Sequence, residues 1–209
     1  MGQSNYNLRL LYHIKKILGY GSVSVPQSKD NIAEFRIRDR KVIIKVILPI
    51  FDKYPLLTSK QFNYEIFRKA IIIMEDPSLT SEIKNINILK LKSIIRPDNY
   101  ISPVFRNILN ISKENVEDII SKQWLIGFTE AEGSFYITKK GSNRIQHIFE
   151  ITQKIDRIVL EGISVILDIK VKTKNTYFTV LTTNLRSLSL VDKYFFNEIK
   201  GIKAVEYRI

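Results

Sequence analysis

The stretch FDKYPLLTSKQFNY at residues 51–64 returns as VDKYFFNEIKGIKAVEY at 191–207, and a chain that repeats itself builds the same local structure twice. Asp52, Lys53 and Tyr54 answer to Asp192, Lys193 and Tyr194. Lys60 and Tyr64 answer to Lys203 and Tyr207, with three more residues in the second copy. Upstream, Leu8, Leu11, Ile14 and Leu18 recur at helical spacing and stop at Gly19; RIVLEGISVILDIKVKT (157–173) follows the same course from helix to short strand. AEFRIR at 33–38 and YFTVLT at 177–182 alternate as strands, each followed by a helix that runs into the DKY segment. The expected organisation is a first half at 1–75, a second half at 122–209, and a linker at 76–121. The Asn, Ser and Pro of that linker, with Pro77, Pro97 and Pro103, suit a surface tether carrying a helix or two.

Composition narrows the class. The 209 residues hold 33 Lys+Arg against 21 Asp+Glu, a net charge of +12, and 44% hydrophobic residues, enough for one or two small cores. A positive excess spread through a folded sequence points to an acidic partner, nucleic acid above all. With no cysteine, a disulfide framework and Cys-ligated zinc are excluded. His13 and His147 are the only histidines, too few for a histidine metal cluster. Apolar runs such as VIIKVILPIF are short or broken by Lys45, so no membrane span is expected, nor any secretory or transit signal. Heavy use of Ile, Lys, Asn, Tyr and Phe fits an AT-rich genome such as an organelle's.

WLIGFTEAEGSFYI at 124–137 carries the chemistry. It runs from an apolar helix through Glu130 and Glu132 to Gly133 and then to strand-like alternation. Gly127 and Ala131 sit four apart, on one side of that helix, and small residues at this spacing let a second helix approach closely. Glu132 then lies at the foot of a packing helix. After Gly133, Ser134, Tyr136, Thr138 and Lys140 share one face of a strand, with Phe135 and Ile137 on the opposite, core-facing side.

The run Leu125, Ile126, Gly127, Phe128, Thr129, Glu130, Ala131, Glu132, Gly133 resembles the motif of the LAGLIDADG homing endonucleases and their maturase relatives, keeping the leucine, both glycines, the alanine and both acidic positions. HIKKILGYGSVSV, the RIRDRK turn and ILPIFDKYPLLTSKQFNYEIFR look like the first half of fungal mitochondrial intron-encoded members. The resemblance implies an α+β fold of two pseudo-twofold αββαββα halves forming a saddle over double-stranded DNA, with motif helices packed at the axis. Against that pattern the first motif helix and its two strands find no room before Asn5, and the chain looks truncated at both ends.

What the resemblance implies for function is a site-specific, metal-dependent DNA endonuclease. Glu132 would bind Mg2+ or another divalent cation. Lys60 and Lys203 would be electrostatic and water-organising groups, Gln153 would order water near the scissile phosphate, and Glu130 would cap or orient the motif helix. Ser134, Tyr136, Thr138, Lys140, Arg144, Gln146, Ile148, Glu150 and Thr152 would face nucleic acid, as a two-stranded ribbon fits the major groove. Lys170, Lys172, Lys174, Arg36 and Arg38 would add phosphate contacts, which position without specifying sequence. An RNA maturase assisting group I intron splicing, or an inactive remnant, stands as the alternative. The expected form is a pseudo-symmetric monomer, or a dimer if the first motif is missing, and the expected location is the mitochondrion, ahead of the chloroplast.

Overall fold

The computed structural model describes residues 1–25, 31–108 and 110–208. The chain opens with strand β1 (Gly2–Ser4), a 3-10 turn (Asn5–Asn7), helix α1 (Leu8–Leu18), and strands β2 (Ser22–Ser24) and β3 (Ile32–Arg36). A helical stretch follows as α2 (Arg40–Val42), a π-turn (Ile43–Ile47) and α3 (Leu48–Lys53), then α4 (Lys60–Glu75) and α5 (Ser81–Lys92). After a 3-10 turn (Pro103–Phe105) and the short α6 (Lys113–Glu117) comes the motif helix α7 (Lys122–Glu132). The remaining elements are β4 (Gly133–Lys140), β5 (Arg144–Gln153), α8 (Arg157–Leu167), β6 (Val171–Thr173), β7 (Phe178–Thr182), α9 (Leu185–Phe195) and α10 (Lys203–Tyr207). The class is α+β, with two antiparallel sheets.

The repeat read from the sequence is a repeat of structure. Helices α1 and α8 are each eleven residues long and each closes on a left-handed residue, Gly19 at φ 73° and Asp168 at φ 53°. Glycine reaches that region without strain and Asp is among the few other residues that visit it. The first sheet is ordered β1-β3-β2 and the second β4-β5-β7-β6, so β1 holds the place that β5 holds in its own sheet. That corrects one expectation: a three-residue strand, paired through Gly2↔Glu34 and Ser4↔Ile32, stands where both ribbon strands were expected to be absent. Asp39 and Asn184 then cap the next helix in the same way, each accepting two backbone N–H bonds. The first copy is longer between its cap and Asp52, and the π-turn lies within that added length.

Both DKY segments close on the same tertiary bond. The Tyr64 phenol donates to Asp52 Oδ1 at 2.6 Å and lies 3.1 Å from the Leu48 carbonyl. Tyr207 donates to Asp192 Oδ1 and lies 2.9 Å from the Asp192 carbonyl. Lys60 and Lys203 open α4 and α10, one turn ahead of these tyrosines.

The compact units do not follow the repeat boundaries expected at 75/76 and 121/122. One unit comprises 37–107 and the other 1–36 with 108–209. In the unit 37–107, Leu48, Tyr64 and Ile71 form the core beneath Ile43, Ile44, Phe51 and Leu56. Ser102 Oγ donates to the Leu56 carbonyl at 2.7 Å, and the Phe62 and Tyr100 rings meet edge-on at 5.4 Å, so residues 76–107 pack onto their unit. In the other unit Val116 and Ile120 are buried with Val159, Leu160, Ile163, Phe149 and Ile151. The segment 76–121 is divided between the two units: its helix α5 buries no residue and lies on the surface, whereas Phe105 is buried in one unit and Val116 and Ile120 in the other.

Removing either phenol tests the repeated bond. Tyr64→Phe and Tyr207→Phe are each expected to cost about 1–2 kcal/mol in urea unfolding, the scale of a hydrogen bond to a charged group that is partly exposed. Burial, then the aspartate, pushes both phenols up to about 12. Groups raised in this way stabilise fully below the ordinary tyrosine range near 10 and lose that contribution as pH climbs to about 12. Asp52, held low chiefly by the Tyr64 hydrogen bond, contributes above the ordinary carboxylate range and loses it as pH falls through its lowered value. The Tyr64→Phe chain should show a flatter stability profile at both extremes.

Candidate active site and nucleic-acid interface

Helix α7 starts at Ser121, whose hydroxyl accepts the Trp124 N–H at 3.2 Å. It ends where the chain turns straight into β4 at Gly133. A Cβ on Gly133 would sit 2.7 Å from both the Thr129 carbonyl and its methyl, so only glycine permits the turn. The two acids two residues apart at this end have different surroundings.

Glu130 is buried, 7% exposed. Its Oε1 accepts the backbone N–H of Gly201 at 2.6 Å and also that of Lys200. Asn7, 2% exposed, grips the same turn through Oδ1, which accepts the Ile202 N–H at 3.0 Å. Three consecutive amides are thus held by two side chains, one from the motif helix and one from the start of the chain. Gly201 makes this possible, because a Cβ there would come within 2.5 Å of Asn7 Oδ1 and Glu130 Oε2. The sequence reading gave Glu130 the orientation of its own helix; its bonds go instead to the approach to α10. At the other end of α7, Lys122 pairs with Glu198 at 3.0 Å, an exposed contact worth ~0–1 kcal/mol.

Glu132 is exposed, the last residue of α7, and no hydrogen bond or ion pair engages its carboxylate among the described residues. A negative charge at the C-terminal end of a helix is opposed by the helix dipole, and a cation there would relieve both. Its oxygens are the hard donors that magnesium prefers. Among the described residues no three His, Cys, Asp or Glu side chains gather around a common point. The residues present therefore fit a single carboxylate ligand, with water, phosphate or a further acid completing the shell.

Lys203, 17% exposed at its side chain, has its Nζ held at 3.0 and 2.8 Å by the two Glu206 oxygens. It follows the gripped turn directly, and α10 packs on β4, with the Tyr207 ring 5.4 Å from Phe135. Lys60 is exposed between buried neighbours. Gln61 beside it accepts the Leu56 N–H at 2.9 Å and donates to Glu65 at 3.2 Å, which fixes the start of α4. Gln153 ends β5 with its amide turned to the Thr152 carbonyl at 2.8 Å.

The face of Gly127 is open: a Cβ there would meet nothing within 4 Å, and Ala131 beside it is exposed. Trp124 and Phe128 stack at 4.6 Å next to it.

In the second sheet the cross-strand pairs Ser134↔Glu150, Tyr136↔Ile148, Thr138↔Gln146 and Lys140↔Arg144 put all these residues on one face. Thr152, across from Thr179, and Lys172 share it. Phe149 and Ile151 on the other face are fully buried. Lys170 lies just before β6 and is exposed. Arg36, at the end of β3, is paired with Glu34, and Arg38 lies beyond that strand. Asn7, Gly201, Glu206 and Thr179 were not singled out from the sequence. Asn7 lies just before a helical run and gave no signal; the i, i+3 spacing of Lys203 and Glu206 did.

An apolar cleft of about 460 Å³ runs beside Phe135, Ile137, His147, Leu185, Leu188 and Tyr207. The acids at its rim, Asp192 and Glu206, are already taken by Tyr207 and Lys203. No helix is long and apolar enough to cross a membrane among the described residues.

Comparison with known proteins bears on the family and the fold. The sequence profile of the LAGLIDADG endonuclease family matches residues 1–71 and 125–208. A protein of Schizosaccharomyces pombe named as a probable intron-encoded endonuclease, Cox1-I1b, is 38% identical over 216 residues, covering 99% of this chain and 53% of that protein. A probable intron-encoded endonuclease of Neurospora crassa is 30% identical over 75% of this chain and 31% of its own length. The chain thus spans about half, or less, of these relatives. The meganuclease I-SmaMI, solved bound to uncleaveable DNA, superposes with a TM-score of 0.79 at 23% identity, over 100% of this chain and 74% of its own. I-LtrWI bound to target DNA gives 0.78 at 21%, over 100% and 75%. At these identities the superpositions establish the fold.

The two acids should separate cleanly in stability. Glu130→Ala strips a carboxylate from two amides and is expected to cost about 3 kcal/mol in urea unfolding. Gly201→Ala should cost about 1–3 kcal/mol by crowding the same carboxylate. Glu132→Gln should leave stability unchanged or raise it by about 0.3–1 kcal/mol, by removing a charge the helix dipole opposes.

Proposed function

Because the chain belongs to the LAGLIDADG endonuclease family, we propose that it is the part of a site-specific endonuclease that contributes one motif helix, one complete DNA-facing sheet and two lysines to metal-dependent hydrolysis of double-stranded DNA. The observation that carries this reading is the exposed, unpartnered Glu132 carboxylate, held in place by a helix whose other acid is spent on structure.

A divalent cation at Glu132, magnesium by the hardness of its donors, would supply charge to a phosphate oxygen and an acidified water. The chain's own groups do the rest. Glu132 presents the carboxylate. Glu130 keeps the approach to α10 fixed, and Glu206 holds Lys203, so that its ammonium is a placed positive charge able to favour the developing phosphate charge. Lys60, fixed through Gln61, serves the same role in the other half. Gln153 is proposed to order water at the scissile phosphate, its amide exchanging the Thr152 carbonyl for that water.

DNA lies against the face that carries Tyr136, Thr138, Lys140, Arg144 and Gln146, with Lys170, Lys172, Arg36 and Arg38 on phosphates. The open Gly127–Ala131 face receives a second motif helix, from a further part of the protein or from a second copy. Of the two, only a second copy makes assembly depend on concentration. The mitochondrion is proposed as the setting, in line with the intron-encoded names of the relatives; another relative, 35% identical over 52% of this chain, is named a mitochondrial protein of Saccharomyces cerevisiae.

The test is cleavage of a duplex containing the uninterrupted insertion site, with magnesium. Glu132→Gln is expected to abolish cutting while DNA binding persists; cutting that survives the change would sink the metal assignment. Gly127→Leu, a substitution into open space, should leave folding intact, yet remove activity by filling the seat of the second helix.

A further inference from the structure

Glu150 is the sole acidic residue in strands β4 to β7, and it stands in the middle of the face that the proposed function gives to DNA. On a chain of net charge +12, an acid there opposes every phosphate contact around it. It is nevertheless carefully held. Tyr136 donates its phenol to Oε2 at 2.9 Å, Thr179 donates to Oε1 at 3.0 Å, and Thr152 lies 3.2 Å from the same oxygen. Thr179 is 1% exposed and touches Thr152 at 3.2 Å and the Ile151 carbonyl at 3.3 Å, which anchors the cluster to the sheet. Burial, then the hydrogen bond to Glu150, raises the Tyr136 phenol above its ordinary range. No cation joins the cluster among the described residues.

A carboxylate is an acceptor only, with about four lone-pair sites, and three hydroxyls leave room for one further donor. In the major groove the donors are the amino groups of cytosine and adenine; guanine and thymine turn only acceptors toward the protein there, apart from the thymine methyl. Adenine sets its N7 acceptor beside its amino group, where it would face a carboxylate lone pair. Cytosine has no such neighbour.

We propose that Glu150 is a specificity-determining residue that selects cytosine at one position of the DNA site, its carboxylate accepting the N4 amino group while Tyr136, Thr152 and Thr179 hold it in register. Ser134 opposite is too short to compete, and Gln146 and Arg144 read further along the ribbon. The proposal rests on the DNA-binding reading above and goes further by naming a base.

The experiment is selection of bound duplexes from a random library by the full chain, followed by direct binding of duplexes that differ at a single pair. The expected result is one position fixed as cytosine, with other bases weakened about tenfold or more. Glu150→Gln should move that position to adenine, because a carboxamide both donates and accepts and so matches N7 and N6. Tyr136→Phe, which leaves the carboxylate but removes a clamp, should weaken the cytosine preference without changing the base. A binding profile identical in wild type and Glu150→Gln, with both chains showing the same thermal unfolding, would overturn the proposal. If wild type selects no sequence at all, the DNA-recognition reading itself fails, and this inference with it.

Discussion

The Glu130 carboxylate, closed inside the protein on the amides of Lys200 and Gly201, is the interaction on which the site depends. A charged acceptor on two N–H donors is among the stronger bonds a protein makes, and burial strengthens it further. Its effect is to fasten the last turn of α7 to the residues that lead into α10. One side of that junction carries Glu132 and the other carries Lys203. With Asn7 on the next amide, the turn is fixed from two directions, and glycine at 201 gives the oxygens the space they need.

This arrangement divides the labour of two acids that look alike in sequence. The inward one accepts two backbone amides through Oε1, while its Oε2 is buried without a hydrogen-bond partner among the described residues. The outward one is exposed at the C-terminal end of its helix, where the dipole opposes a negative charge. The lysines show a related asymmetry. Lys203 is steadied by Glu206, which moderates its charge, whereas Lys60 has a buried, hydrogen-bonded neighbour and an exposed position. The matching lysines of the two similar segments therefore stand in different electrostatic settings.

Much of this was legible in the chain. The DKY segments predicted a repeat because Asp52–Tyr64 and Asp192–Tyr207 close the same loop in both copies, and a hydrogen bond that needs two side chains at fixed separation leaves a pattern in sequence. Strand alternation placed Ser134, Tyr136, Thr138 and Lys140 on one face because period two is all that a pleat requires, while Gln146 and Glu150 came from the family resemblance. What could not be read was non-local. The grip of Glu130 on residue 201 and that of Asn7 on residue 202 join positions far apart, with no periodicity to announce them. The split of 76–121 between two cores was hidden for the same reason: Val116 and Ile120 look like linker aliphatics until α8 arrives to bury them. The strand at Gly2–Ser4 escaped notice because three residues are too few to show alternation, and its pairing with β3 is what defines it.

The most direct measurement of the central claim is amide hydrogen exchange at Lys200 and Gly201, compared between the wild-type chain and Glu130→Gln. If the buried carboxylate holds this turn, both amides exchange as slowly as those of the sheet core in the wild type, and accelerate together in the variant while the strands stay protected. Rapid, loop-like exchange at both positions in the wild type would contradict it, and would leave the turn that leads into α10 without its anchor.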